Sequence, residues 1–316
     1  MNTIEAKQDV MAAATTTMTA SATMDERVAP GLGDTIFTDV PPLGTAHVSP
    51  AHDDDVRAIY LRGVRIHAIT EAESVRFVLD SLANGQGGWV VTPNLDHLRR
   101  LSGDRKLRAL YSHATLVVPD GMPLIWAARL QGTPLPERVA GSSLITSLSD
   151  GAAREGRSIF LLGGDPGTAE GAARVLRGTF PGVTIAGTHC PPFGFEQDQK
   201  LLQNVIDLLQ KARPDIVYVA LGSPKQEWLI GQLKGYLPRA WWLGIGISFS
   251  FVSGQVRRAP QWMQRAGLEW VHRLCQEPRR LAKRYLVHGL PFAGSLLTGA
   301  VIHRVQSMWK KETSAA

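Results

Sequence analysis

From Val56 onward, two periods of apolar and polar positions take turns along the chain. Val56–Leu61 and Val64–Ile69, joined through Arg62-Gly63, alternate in twos and predict a small β-hairpin. Thr70 and Glu73 form a capping-box pattern that opens a helix running to about Asn84. Short apolar runs then recur at Trp89–Thr92, Thr115–Val118, Ser158–Leu162, Val183–Thr188, Ile216–Leu221 and Trp241–Ile245. Between them lies helical text: through Leu101, Asp104–Ser112, Met122–Leu130, Ser142–Arg154, the stretch ending at Phe180, Glu196–Ala212, and a stretch reaching about Lys234. Strands that alternate with helices of this kind predict an α/β fold: a mostly parallel sheet with helices on both faces.

Past Gly254 the pattern changes to helices only. Ala259-Pro260 starts one, Gly267-Leu268 interrupts it, and Glu277-Pro278 begins another through Leu286. Charge follows the same boundary. The chain carries a net +6, but from Arg257 onward eleven basic residues face Glu269, Glu277 and Glu312 alone, a local net of +8. That segment calls for an anionic partner. Leu286–Ile302 follows without a formal charge. With Gly289, Pro291, Gly294 and Gly299 it reads as too short and too broken for a transmembrane helix. A basic segment followed by an apolar one fits an anchor lying on a membrane surface, and a plain helical cap on the sheet is the alternative.

Three parts follow: a leader over residues 1–55 expected to be disordered, an α/β domain over 56–253, and a basic helical appendage over 254–316. The leader is rich in Ala, Thr, Ser, Pro and Gly and makes a poor signal peptide. Its Asp53-Asp54-Asp55 resembles an acidic metal-holding cluster but reads as solvated charge. Cys190 and Cys275 lie far apart without metal-type spacing, and His97, His113, His189 and His272 are isolated, so no metal is assigned. A reduced, cytoplasmic setting fits.

Candidate chemistry gathers where strands end. In an open α/β sheet, ligands lie outside the carboxyl ends of the strands. One strand end carries Thr92-Pro93-Asn94, the next carries Pro119-Asp120-Gly121, and a loop with Arg138 follows. Together these describe one wall of a polar site. Asp120 reads either as a partly desolvated base or as the N-cap of the Met122 helix. Arg138 reads either as a phosphate clamp or as a surface partner of Glu137. Gly163-Gly164-Asp165-Pro166-Gly167 suits a phosphate at a helix start, or simply a tight turn. It lacks both the Walker ending and the dinucleotide spacing. Gly222-Ser223-Pro224-Lys225-Gln226-Glu227 adds a cation and an amide at a second such turn. There Lys225 and Gln226 read as ligand groups, against a solvated Ser-Pro helix start. Phe193 and Phe195 read either as base-stacking rings or as packing over the sheet edge.

These blocks in order, with Arg258-Ala259-Pro260, Leu268-Glu269-Trp270 and Glu277-Pro278-Arg279-Arg280, resemble the WecG/TagA/CpsF glycosyltransferases, glycosyltransferase family 26. The match runs from about Arg57 to Phe292. The resemblance implies a Rossmann-like fold and inverting, metal-independent transfer without a cofactor. The donor would be a UDP-sugar, and the acceptor a polyprenyl-diphosphate-linked saccharide for exopolysaccharide, capsule or cell-wall polymer. It implies a peripheral enzyme on the anionic inner face of the plasma membrane. Carried over by residue, Asp120 matches the general base, and Thr92 and Asn94 match acceptor-side polar groups. Arg138 and Gln226 match substrate-binding side chains, and Arg273 and Arg280 match diphosphate-reaching arginines, with a third at Lys283 or Arg284. One departure stands out: many relatives carry an Asp where this chain has Ser250. A nicotinamide oxidoreductase is disfavoured by the missing fingerprint, and a nucleic-acid module by the charge-free run. Homo-oligomerisation stays open.

Overall fold

A computed structural model of the chain describes residues 56–315; the leader, with Asp53, Asp54 and Asp55, lies outside the described residues. The first strands, β1 (Ala58–Leu61) and β2 (Val64–His67), pair antiparallel. Arg62 (φ 52°) and Gly63 (φ 76°) both adopt the left-handed conformation between them. That two-residue turn matches the right-handed twist of the flanking strands. Helix α1 (Glu71–Ala83) opens with the predicted capping box of Thr70 and Glu73.

The main elements follow as β3 (Gly88–Val91), α2 (Leu95–Gly103), α3 (Arg105–Tyr111), β4 (Leu116–Val117), α4 (Met122–Gln131) and α5 (Gly141–Arg154). The second half adds β5 (Ser158–Gly163), α6 (Thr168–Thr179), β6 (Thr184–His189), α7 (Gln199–Ala212), β7 (Ile216–Ala220), α8 (Lys225–Leu233) and β8 (Trp241–Gly244). The six strands β3 to β8 form one parallel sheet in the order β4-β3-β8-β7-β5-β6. The chain runs outward from β3 to β4, crosses to β5 and β6, then returns to fill the middle with β7 and β8. Every strand therefore points its carboxyl end at the same edge. That edge, at the reversal of strand order, is where such folds place ligands.

Alternation along the strands decides which core each side chain joins. Trp89, Val91, Phe160, Leu162, Val217, Val219 and Trp242 enter one core with α2, α3, α4, α7 and α8. Val90, Ile159, Leu161, Ile216, Tyr218, Trp241 and Leu243 enter the other with α1, α5 and α6. Burial on both faces explains why the strands read as continuous apolar runs.

After β8 come α9 (Ser248–Val252), α10 (Gln261–Arg265), α11 (Glu269–Gln276) and α12 (Pro278–Ala282). A π-helical turn over Lys283–Gly289 leads into α13 (Leu290–Ala315). This corrects the expected interruption at Gly289, Pro291, Gly294 and Gly299: α13 is unbroken. Pro291 follows directly on the π-helical turn, the kind of irregularity in the hydrogen-bond ladder at which helices accommodate a proline. The glycines, each costing about 1 kcal/mol against Ala in a helix, are offset by packing. Leu296 and Ala300 are buried in the first core. Arg62 bonds to the Ser295 hydroxyl and lies over the Phe292 ring. A side chain at Gly299 would approach the Arg62 guanidinium at 3.8 Å. The stretch Pro278–Lys310, 33 residues, is long and apolar enough to cross a membrane. Here one of its faces lies on the domain.

Candidate functional site

Asp120 follows β4 and is fixed through its backbone, its N–H donating to the Pro93 carbonyl at 2.9 Å. The capping reading is decided against: α4 is capped by Gly121 (φ 105°), and no side chain caps it. The carboxyl group is thus left for other work. Arg138 arrives on a loop tied to the same turn, where the Val139 N–H meets the Pro119 carbonyl at 2.8 Å. Its Nη1 stands 3.8 Å from Asp120 Oδ1 and 2.8 Å from Glu269 Oε2. Arg138 does not pair with Glu137, whose carboxylate instead accepts from the Glu71 N–H at the start of α1.

Asn94 caps α2, its Oδ1 accepting from the N–H groups of Asp96 at 3.0 Å and His97 at 3.2 Å. The oxygen is occupied by the helix, and its amide nitrogen remains for a ligand. A Cβ on Gly121 would come within 3.9 Å of Asn94, so the two strand ends adjoin. Thr92 is buried beside Gly141, whose hypothetical Cβ would meet the Thr92 hydroxyl at 3.2 Å. Thr92, Asn94, Asp120 and Arg138 therefore share the edge of β3 and β4, as the motif order predicts.

Electrostatics single out Asp120. Its side chain is 27% exposed, yet burial of the carboxyl raises its pKa to about 6. Arg138, Arg258 and Arg273 oppose that rise, and Glu269 adds to it. His97 in α2 is pushed down to about 4 by burial and by Arg284, so it stays neutral near pH 7.

Across the edge, Gln226 is buried. Its Oε1 accepts from the Gly246 N–H at 3.0 Å, and its Nε2 donates to Glu227 Oε1 at 3.0 Å. The amide therefore braces the turn after β8 against α8, and burial pushes Glu227 up. A Cβ at Gly244 would lie 2.6 Å from Gln226 Nε2, so a side chain there would displace the Gln226 amide. Lys225 is held by Glu196 at 2.6 Å and lies 4.3 Å from the centre of the Phe193 ring. Phe193 is 80% exposed, whereas Phe195 belongs to the core. The glycine turn after β5 is accounted for by packing. A Cβ at Gly163 would lie 2.9 Å from the Ala220 oxygen, and one at Gly164 would lie 2.4 Å from the Thr168 hydroxyl. The Gly164 N–H is already spent on Ala220.

The appendage closes one side of this edge. Arg273 stacks over Phe251 at 5.7 Å and acts on Asp120. Arg280 pairs with Glu277 at 2.7 Å. Arg284 reaches Asp96 at 3.2 Å, a carboxylate already held by Arg99 and Arg100. Ser250, at the departure noted in the sequence, is buried. Among the described residues no group of three His, Cys, Asp or Glu side chains suits a metal ion.

Three contributors carried no predicted role: Glu269, Arg258 and Asp96. Arg258 donates to the Ser142 carbonyl and the Ser143 hydroxyl and lies 3.3 Å from Glu269 Oε1. The available signal was Glu269 itself, the first acidic residue in a strongly basic stretch.

A parallel sheet with a polar carboxyl-end edge, where Asp120 and Glu269 share Arg138, and Arg258 and Arg273 act on the Asp120 carboxylate, suits a group-transfer enzyme. The model of the Glycosyl transferase WecG/TagA/CpsF family matches residues 59–306, and the chain belongs to that family. It is 36% identical over 200 residues to the N-acetylglucosaminyldiphosphoundecaprenol N-acetyl-beta-D-mannosaminyltransferase of Bacillus spizizenii, covering 63% of this chain and 75% of the relative. The enzyme of the same name from Bacillus subtilis is 35% identical over 177 residues, covering 56% of this chain and 67% of the relative.

Proposed function

We propose that this enzyme transfers a sugar from a UDP-sugar, with inversion, to a polyprenyl-diphosphate-linked saccharide at the inner membrane face. In this reading Asp120 is the general base. The observation that carries it is Asp120 itself: a strand-end carboxylate, not used as a cap, with its pKa raised to about 6. An acceptor hydroxyl must lose its proton as it attacks the anomeric carbon, and a positioned carboxylate takes it. The leaving diphosphate gathers negative charge that nearby guanidinium groups stabilise. Arg138, Arg258 and Arg273 are close enough to Asp120 to act on its charge. The acceptor class is supported by the relatives' names, which specify a diphosphoundecaprenol-linked N-acetylglucosamine. Membrane attachment is supported by apolar side chains that α13 leaves exposed on the side away from the domain.

Incubation with a panel of UDP-sugars and a short-chain polyprenyl-diphosphate N-acetylglucosamine tests the reaction. UDP should be released with one donor and only when the acceptor is present; acceptor-independent release throughout the panel would reject the transfer. A base must be ionised to act, so kcat/KM should fall as pH drops through about 6, the value to which Asp120 is raised. The same limb should be missing from the residual rate of Asp120→Asn.

A further inference from the structure

The carboxylate beside Asp120 has no part in that scheme. Glu269 opens α11, and its Oε2 accepts a hydrogen bond from Arg138 Nη1 at 2.8 Å. Its Oε1 lies 3.3 Å from Arg258 Nε, and Arg258 is itself anchored on Ser142 and Ser143 at the start of α5. From the same Arg138 nitrogen to Asp120 Oδ1 the distance is 3.8 Å. The guanidinium is therefore shared unequally. A separation of 2.8 Å is a charge-assisted hydrogen bond, and 3.8 Å is none. The three side chains are mostly shielded, with 17% of Arg138, 18% of Glu269 and 27% of Asp120 exposed.

We propose that Glu269 is a positioning residue for the transfer, drawing the Arg138 guanidinium off Asp120 so that the Asp120 carboxylate is free to take the acceptor proton. This rests on Asp120 being the base, and it adds what keeps that base available. An arginine closed onto a carboxylate lowers its pKa by about 1–3 units and makes it a weak proton acceptor. The charged groups facing Asp120 are Arg138 from its loop, Arg258 from the segment before α10, and Glu269 and Arg273 from α11. Glu269 is the one acid among three cations. Only it both repels a second negative charge and holds Arg138 by a direct bond. Because it sits on α11, the base reaches full strength only when that helix is docked on the domain.

The competing account makes Glu269 a stand-in for substrate diphosphate on Arg138 and Arg258. Glu269→Gln separates the two, because it keeps the shape and an acceptor oxygen while removing the charge. In aspartate-labelled protein, the Asp120 carboxyl can be titrated by carbon-13 NMR, its signal assigned by loss in Asp120→Asn. Glu269→Gln should lower that midpoint by about one unit and move the acid limb of kcat/KM to lower pH by the same amount. Glu269→Asp should recover part of both, and both variants should bind UDP no more tightly than the parent. An unmoved midpoint, above all with tighter UDP binding, overturns the role given to Glu269. A lowered midpoint beside an unmoved rate limb keeps the hold of Glu269 on Arg138 and removes Asp120 from the reaction, so the two readings fail separately.

Discussion

Asp120→Asn should lower sugar transfer by about 10²–10⁴-fold and leave the melting temperature unchanged or higher. The rate effect follows from chemistry. An amide occupies the same turn and presents an oxygen of similar reach, but it cannot take a proton. The stability effect follows from the sign of the pKa shift. Burial raises Asp120 to about 6 in the folded chain, above the value of about 3.9 for an exposed aspartate. Ionising it therefore opposes folding, and the penalty is complete once pH exceeds the folded value. Replacing the carboxyl by an uncharged amide removes the penalty near pH 7, and the difference shrinks toward zero as pH falls to and below the exposed value, where the parent becomes protonated in both states. Thermal melts at pH 4 and pH 7.5 beside UDP-release rates measure both parts. A variant that melts like the parent yet retains a tenth or more of its rate would show that another group takes the proton.

The part of the site around Asp120 was legible because local chemistry builds it. A β-strand, a proline and a polar residue make a strand end, and sheet topology dictates that successive ends adjoin. Thr92, Asn94 and Asp120 follow from that alone. Arg138 was legible as a charge in a constrained loop, but its partner was not. Glu137 is its neighbour in sequence and Glu269 its neighbour in space, 131 positions away. The same limit hid Asp96, whose role depends on Arg284 folding back across the sheet edge. Lys225 and Gln226 look like ligand groups in the sequence, and the structure finds both engaged by Glu196, Phe193, Glu227 and Gly246. Helix α13 shows the reverse case. Three glycines and a proline argue for a break when propensity is weighed alone. Burial of Leu296 and Ala300 against the domain outweighs it.

Replacing Ile302, Val305, Met308 and Trp309 together by Ser should release the enzyme from vesicles containing anionic lipid while leaving its fold intact. These side chains are 52%, 45%, 54% and 70% exposed, so the domain loses little packing when they change. With Leu290 and Val301 they lie on the side of α13 away from buried Leu296 and Ala300. Full burial of one such side chain is worth about 1.5–3 kcal/mol. Even partial insertion of four would change partitioning by two orders of magnitude or more, since about 1.4 kcal/mol is tenfold. The basic residues before and after the stripe, among them Arg279, Lys283 and Lys310, add about 1 kcal/mol each near an anionic leaflet. Two forces thus act together, and salt separates them. Raising ionic strength screens the cations and leaves the apolar contribution, so the parent should stay on vesicles in salt that strips the Ser variant completely. Flotation with phosphatidylglycerol-containing vesicles, at low and high salt, reads this directly. Equal flotation of both proteins would place the membrane contact elsewhere and leave the apolar side of α13 to a protein neighbour, which a change in sedimentation of the parent alone would reveal.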